Sequence, residues 1–388
     1  MVQEMGKCLA CGREANTISS SLSVCGECLK SLSKVPEFSK SRRVKFRSSL
    51  GLPVFPPVVS EEGGFRQCSI CVNECQLREG DVGFCGLWTN IGGLMKFRLG
   101  LDKALGLWYL DPHPTNCVAA PVCPANTSRG YPEYTKTPGV EVGYYNLAVF
   151  FGGCSLDCLF CQNYEHKELV SESIRGKSKR FFAVKDLIER ALSPVVTCVC
   201  YFGGDPGPHS PHAIAASREI LRNSEEQIKR ICWETNGLQN PAIMREMAKL
   251  SLESGGIVKI DWKAWSPVIY EALTGVNGVK AVERLKHNVR LISELRSSRR
   301  EPPLLVVSTL LVPGYVDLYE VEGIATYIAS VDPDTPYVLL AFHPTHLMRD
   351  LPTTSYDHAL KALRIARSSG LKEVYIGNEW LLSNSYLV

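Results

Sequence analysis

The chain has 388 residues, 45% of them hydrophobic and 21% charged, with a net charge of +3. That composition excludes a disordered or fibrous chain, and the length accommodates one large domain with smaller modules. No run of about 18 apolar residues is present, which excludes a membrane-spanning helix. The first eight residues lack the apolar core of a secretory signal, so a cytoplasmic location away from membranes is expected.

Sixteen cysteines are many for a reducing compartment, where disulfides are rare and clustered thiols indicate metal. In residues 1–35, Cys8-x2-Cys11 and Cys25-x2-Cys28 stand 13 residues apart. The spacing suits a closed tetrahedral zinc site of four thiolates, hence a structural or recognition role, with rubredoxin-like iron or redox thiols as alternatives. So short a module buries little apolar surface, and structural zinc contributes about 10–16 kcal/mol to folding.

Residues 36–64 read as a linker with Pro53, Pro56, Pro57 and a basic run, Lys40, Arg42, Arg43, Lys45 and Arg47. Such a run is either a solvated face or a contact for phosphates. Residues 65–139 read as a second cysteine-rich module. Cys68, Cys71, Cys75 and Cys85 fall within 18 residues and suit zinc or a second iron–sulfur cluster. Cys117 and Cys123 form a further pair, joined to that site, to another cluster, or simply buried.

From residue 140 the texture changes. Short β-branched and aromatic runs at 145–151, 195–202, 229–234, 256–262, 304–311, 335–342 and 373–376 predict strands. Helical patterns lie between them near 183–193, 211–224, 240–252, 279–296, 319–330 and 355–369. This alternation implies a parallel sheet with crossover helices. Residues 140–388 are therefore expected to be α/β, a partial (β/α)6-type TIM barrel, with a doubly wound sheet as the alternative. Cys198, Cys200 and Cys232 fall inside predicted strands and read as core packing.

The unusual residues gather where strands stop, which is where a barrel carries its chemistry. The first strand runs into Cys154-x3-Cys158-x2-Cys161. Three thiolates in one loop ligate three irons of a [4Fe–4S] cluster and leave the fourth open; a zinc site borrowing a distant His is the alternative. Gly203-Gly204-Asp205-Pro206 ends the next strand, where bare backbone can approach a ligand closely. Glu234-Thr235-Asn236-Gly237, Asp261-Trp262-Lys263, Leu311-Val312-Pro313-Gly314 and Phe342-His343-Pro344 follow. Each alone is ordinary turn chemistry, but six in succession build a site.

With these motifs, residues 140–388 resemble the radical S-adenosylmethionine (SAM) superfamily, and within it the pyruvate formate-lyase activating enzyme branch. Asp261–Trp265, Leu310–Gly314 and Tyr375–Asn378 extend the likeness. With Cys68 to Gly86 added, the chain is most similar to the AmmeMemoRadiSam-type radical enzymes, while residues 1–59 lie outside the resemblance. It implies an oxidoreductase whose open iron binds SAM, fed by an electron donor such as ferredoxin or flavodoxin. Reductive cleavage then gives methionine and a 5′-deoxyadenosyl radical. It further implies Phe160 near the adenine, and Gly203, Gly204, Asp205 and Pro206 at the methionine amino group. Glu234, Thr235 and Asp261 would surround the methionine carboxylate or a cation beside it, Lys263 would neutralise that carboxylate, and His343 would touch the nucleoside. Asp205 stands where Glu is commoner. The stretch from Pro112 to Cys123 replaces a Lys-Pro-containing segment of the relatives, so no substrate carries over.

Three functions follow as expectations. The first is an activating enzyme that places a radical, such as a glycyl radical, on a protein, or an enzyme that modifies a small molecule. The second is RNA modification, with the zinc module and Lys40–Arg47 gripping nucleic acid. The third is a non-catalytic, metal-bearing interaction protein.

Overall fold

The computed structural model describes residues 5–60 and 63–388. Residues 1–4, part of the stretch read for a signal, and 61–62, within the expected linker, lie outside the described residues.

The first cysteine knuckle sits on a two-residue hairpin, Gly6–Lys7 with Glu14–Ala15. The second opens helix α1 (Gly26–Ser31), where Cys25 is the N-cap and its sulfur accepts from Cys28 N at 3.5 Å. A second helix, α2 (Ser41–Ser49), follows where a linker was expected. Its four-residue repeat puts Arg43 and Arg47 on one face, and each is only 2% exposed. That finding corrects the reading of the basic run as a solvated or phosphate-gripping stretch for Arg43 and Arg47, while Arg42 and Lys45 are exposed and Lys40 is half-buried. A helix that buries cations shows no apolar period, so it reads as a linker in sequence. The cysteine-rich second module contains two small hairpins, Arg66–Gln67 with Gln76–Leu77 and Trp88–Ile91 with Leu94–Phe97.

The main sheet has nine strands: β1 (Lys103–Pro112), β2 (Tyr145–Phe151), β3 (Phe181–Ala183), β4 (Val196–Gly203), β5 (Arg230–Thr235), β6 (Val258–Asp261), β7 (Leu305–Leu311), β8 (Tyr337–Ala341) and β9 (Val374–Gly377). Their spatial order is β9-β8-β7-β6-β5-β4-β2-β1-β3. The seven strands β2 and β4 to β9 are parallel and lie in sequence order. A doubly wound sheet would reverse direction at a switch point, and this one does not. The order is that of a barrel left open, with β1 antiparallel on the β2 edge. All seven parallel strands and the six crossover helices predicted from sequence fall within two residues of their expected bounds. Strands β1 and β3 and helices α3 (Glu165–Ile174) and α7 (Pro267–Thr274) had no sequence signal strong enough to name them.

Alternation along the strands sorts the side chains onto two faces. Tyr201 and Trp233 face the helices: Tyr201 meets Ser217, and Trp233 Nε1 donates to Met247 O at 3.0 Å. Cys198, Cys200, Cys232, Glu234, Lys259 and Asp261 therefore face the inside. Residues 113–127 lie across that inner face, with Ala119 and Val122 packed on Ile257, Val306 and Val338.

Candidate active site

At the C-terminal ends of the parallel strands a pocket of about 330 Å³ opens, with Cys154, Cys158 and Cys161 in its wall. The cluster loop reaches it because backbone passes over backbone. Gly204 N donates to Phe151 O at 2.9 Å and Asp205 N to Gly153 O at 3.0 Å. A Cβ on Gly204 would meet Gly153 O at 2.1 Å, so only glycine fits where these two loops touch. Gly204→Ala is expected to separate them and to lower the iron retained on purification, read by iron and sulfide analysis; unchanged iron would show the contact to be dispensable.

Opposite the thiols stands a ladder of alternating charge. Register pairs Glu234 of β5 with Lys259 of β6, and period two puts Asp261 on the same face as Lys259. Lys259 Nζ lies 3.3 Å from Glu234 and 2.8 Å from Asp261, and Lys263 Nζ is 3.1 Å from Asp261. Burial alone would raise the Asp261 carboxyl, but Lys259 and Lys263 together hold it well below the usual carboxylate range. Lys263 Nζ also stands 6.0 Å from the Phe160 ring centroid. One pocket thus presents soft thiols, bare backbone and a fixed run of cations and carboxylates.

The expected residues divide. Phe160, Gly203, Gly204, Asp205, Glu234, Thr235, Asp261 and Lys263 line the pocket; Pro206 and His343 do not, and His343 is exposed. Asp205 is fully engaged: Oδ1 accepts from Gly207 N (2.7 Å) and Gln239 Nε2 (2.6 Å), Oδ2 from Thr235 Oγ1 (2.9 Å) and Asn236 N (2.7 Å). Burial pushes its carboxyl up to about 6, against the pull of those donors. Its carboxylate ties two strand ends together rather than facing a ligand. Sequence reasoning missed Lys259, His166, Asn116 and Val118. Lys259 had a signal, an ionisable residue inside an apolar strand; Asn116 and Val118 fall in the Pro112–Cys123 stretch, which had already stood out by its departure from the relatives.

Residues 148–328 match the sequence profile described as the Radical SAM superfamily. The chain carries a radical SAM domain. Over 326 residues, 80% of this chain and 81% of the relative, it is 23% identical to an uncharacterized protein of Methanocaldococcus jannaschii. The crystal structure of Streptococcus suis SuiB shares 13% identity at a TM-score of 0.33, over 51% of this chain and 39% of that one.

A radical SAM domain implies SAM and a [4Fe–4S] cluster, and the residues of this pocket fit them. The three thiols are free of disulfides and share one loop. Burial pushes all three up, Cys158 to about 12, so iron binding there would displace their protons. Among the described residues, Cys8, Cys11, Cys25 and Cys28 are the only group of three or more possible ligands drawn within 4.8 Å of one another. Thiolates about 2.3 Å from one zinc lie about 3.8 Å apart, which suits that N-terminal set. A cubane spreads its thiolates over different irons and needs no such closeness.

The loop of the radical SAM domain is anchored from below by a residue absent from the sequence reading. Asp157, between the first two cysteines, is 1% exposed and forms ion pairs with Lys167, with Arg43 at 3.5 Å and with Arg47 at 3.7 Å. Burial would raise its carboxyl, but Lys167, Arg47 and Arg43 hold it down to about 2. Arg43 also donates to Ala272 O at 2.9 Å and Arg47 to Phe84 O at 2.7 Å. Arg43 and Arg47 thus anchor the three-cysteine loop, Arg47 joining it to the second module.

Both N-terminal modules pack at this same end. Ser19 N donates to the Tyr315 hydroxyl at 2.9 Å, and Ser20 N donates to Asp350 at 2.6 Å. Asn73 Nδ2 reaches Ser155 O at 2.6 Å, beside Cys154. Cys68, Cys75 and Cys85 are pushed by burial to about 11, and Cys71 is raised further. No described helix is long and apolar enough to cross a membrane.

Proposed function

We propose that Cys154, Cys158 and Cys161 hold a [4Fe–4S] cluster and that this pocket cleaves SAM to start an activating-enzyme-type reaction on a protein or small-molecule substrate. The observation that carries this reading is the convergence of three free thiols, the Gly203–Gly204 backbone and the Lys259–Asp261–Lys263 ladder in one pocket. When bound, the cluster supplies the electron that splits the sulfonium bond into methionine and a 5′-deoxyadenosyl radical. The chain's own residues bind and orient. Gly203 and Gly204 bring side-chain-free backbone to the pocket wall for the amino group, Lys263 supplies a cation for the carboxylate, and Phe160 supplies an apolar face for the adenine. An electron donor of the ferredoxin or flavodoxin kind completes the reaction.

Zinc on Cys8, Cys11, Cys25 and Cys28 belongs to the same proposal, as does a metal on Cys68, Cys71, Cys75 and Cys85. Replacing Cys25 by serine is expected to remove about one zinc per chain while iron stays constant, measured by elemental analysis. The decisive experiment is anaerobic reconstitution, reduction and incubation with SAM. Formation of 5′-deoxyadenosine supports the reading; its absence from a fully reconstituted protein would falsify it.

A further inference from the structure

The structure gathers every one of the 16 cysteines into a group. Eleven belong to the three motifs described above. The remaining five, Cys117, Cys123, Cys198, Cys200 and Cys232, come from three distant places in the chain and line a single small chamber on the inner face of the sheet. Two of them, expected to be separate packing residues, stand close: Cys198 Sγ lies 3.6 Å from Cys232 Sγ. That is near the roughly 3.8 Å separation of two thiolates sharing one tetrahedral ion. Cys117 and Cys200 hydrogen-bond to each other through their side chains, and Cys117 Sγ donates to Glu234 Oε1 at 2.9 Å.

Two further atoms have nothing to bind. His113 and Asn146 line the same chamber at 4% and 6% exposure, and neither His113 Nδ1 nor Asn146 Oδ1 has a hydrogen-bond partner within the chain. His113 and Asn146 thus add two polar side chains to the wall of this thiol-lined void. The void is about 20 Å³, the room of one water-sized atom. That excludes a cubane and suits a single ion, and thiolates select thiophilic metals. Lys259, which lines the chamber, is paired with Glu234 and Asp261, and Arg230, near Cys232, is paired with Glu141.

We infer that this chamber binds one thiophilic metal ion, with Cys198 and Cys232 as one edge of its coordination. Binding replaces thiol protons, which leave to solvent, and needs no oxidant or reductant. The ion would lie directly beneath Glu234 and Lys259, which line both this chamber and the pocket above it.

The test uses zinc as the probe and does not depend on cleavage of SAM. Zinc-loaded full-length protein and its Cys198→Ala/Cys232→Ala variant are compared by elemental and sulfide analysis. The variant is expected to lose one zinc per chain with iron and sulfide unchanged; retained zinc, or a fall in iron and sulfide, overturns the inference. A second measurement needs no variant. Anomalous diffraction at the zinc edge from wild-type crystals is expected to show a peak between the two sulfurs. An empty chamber, or a Cys198–Cys232 disulfide in its place, overturns it.

Discussion

Replacing Cys158 by alanine is expected to remove close to a full cluster's complement of iron and sulfide and to abolish 5′-deoxyadenosine formation. Two thiolates on the loop cannot hold the set of irons that three hold, and among the described residues the pocket wall has no other cysteine or histidine at hand except His166. Burial keeps that ring well below its usual pKa, with Lys167 adding to the effect, so it is neutral but 2% exposed beneath the loop. The zinc content should stay as in the wild type, because the N-terminal thiols form a separate set within 4.8 Å of one another. Iron that persists in the variant would mean the cluster is held elsewhere. Loss of zinc with iron intact would reverse the assignment of the two metals.

Asp157→Asn is expected to destabilise the fold by about 3–5 kcal/mol, because it leaves Arg43, Arg47 and Lys167 buried without their shared carboxylate. The guanidinium midpoint should fall accordingly. The pH dependence gives a second reading. The folded carboxyl titrates at about 2, below the ordinary aspartate value of about 3.9. Its stabilisation is therefore complete above about pH 4 and is lost as pH falls through about 2. The asparagine variant should lack that acid limb, since it already resembles the protonated state. An unchanged midpoint in the variant would mean that the three cations find water or other partners.

The cluster loop and the seven parallel strands were legible because their signals are local. Cysteine spacing within one loop and apolar runs of strand length survive without tertiary context. The same holds for Cys8 to Cys28, whose two knuckles close over a short stretch. Arg43 and Arg47 were misread because their role depends on Asp157, more than a hundred residues on. Burial of a cation becomes favourable only when the partner arrives, and no period in the helix announces it. Asp205 was legible as a strand-end residue but not as one whose oxygens are spent on neighbouring strand ends.

By itself, then, the sequence determined the strand order's raw material, the three-thiol loop and the four-thiol N-terminal set, since each depends on residues within a few turns of one another. Tertiary structure decided what the distant residues do. It drew the basic helix under the cluster loop and set Lys259 between Glu234 and Asp261. It also brought Cys117 and Cys123 onto the inner face of the strands that carry Cys198, Cys200 and Cys232. Those placements follow from strand register and from which face of the sheet is covered, and register is a property of the assembled sheet rather than of any one segment.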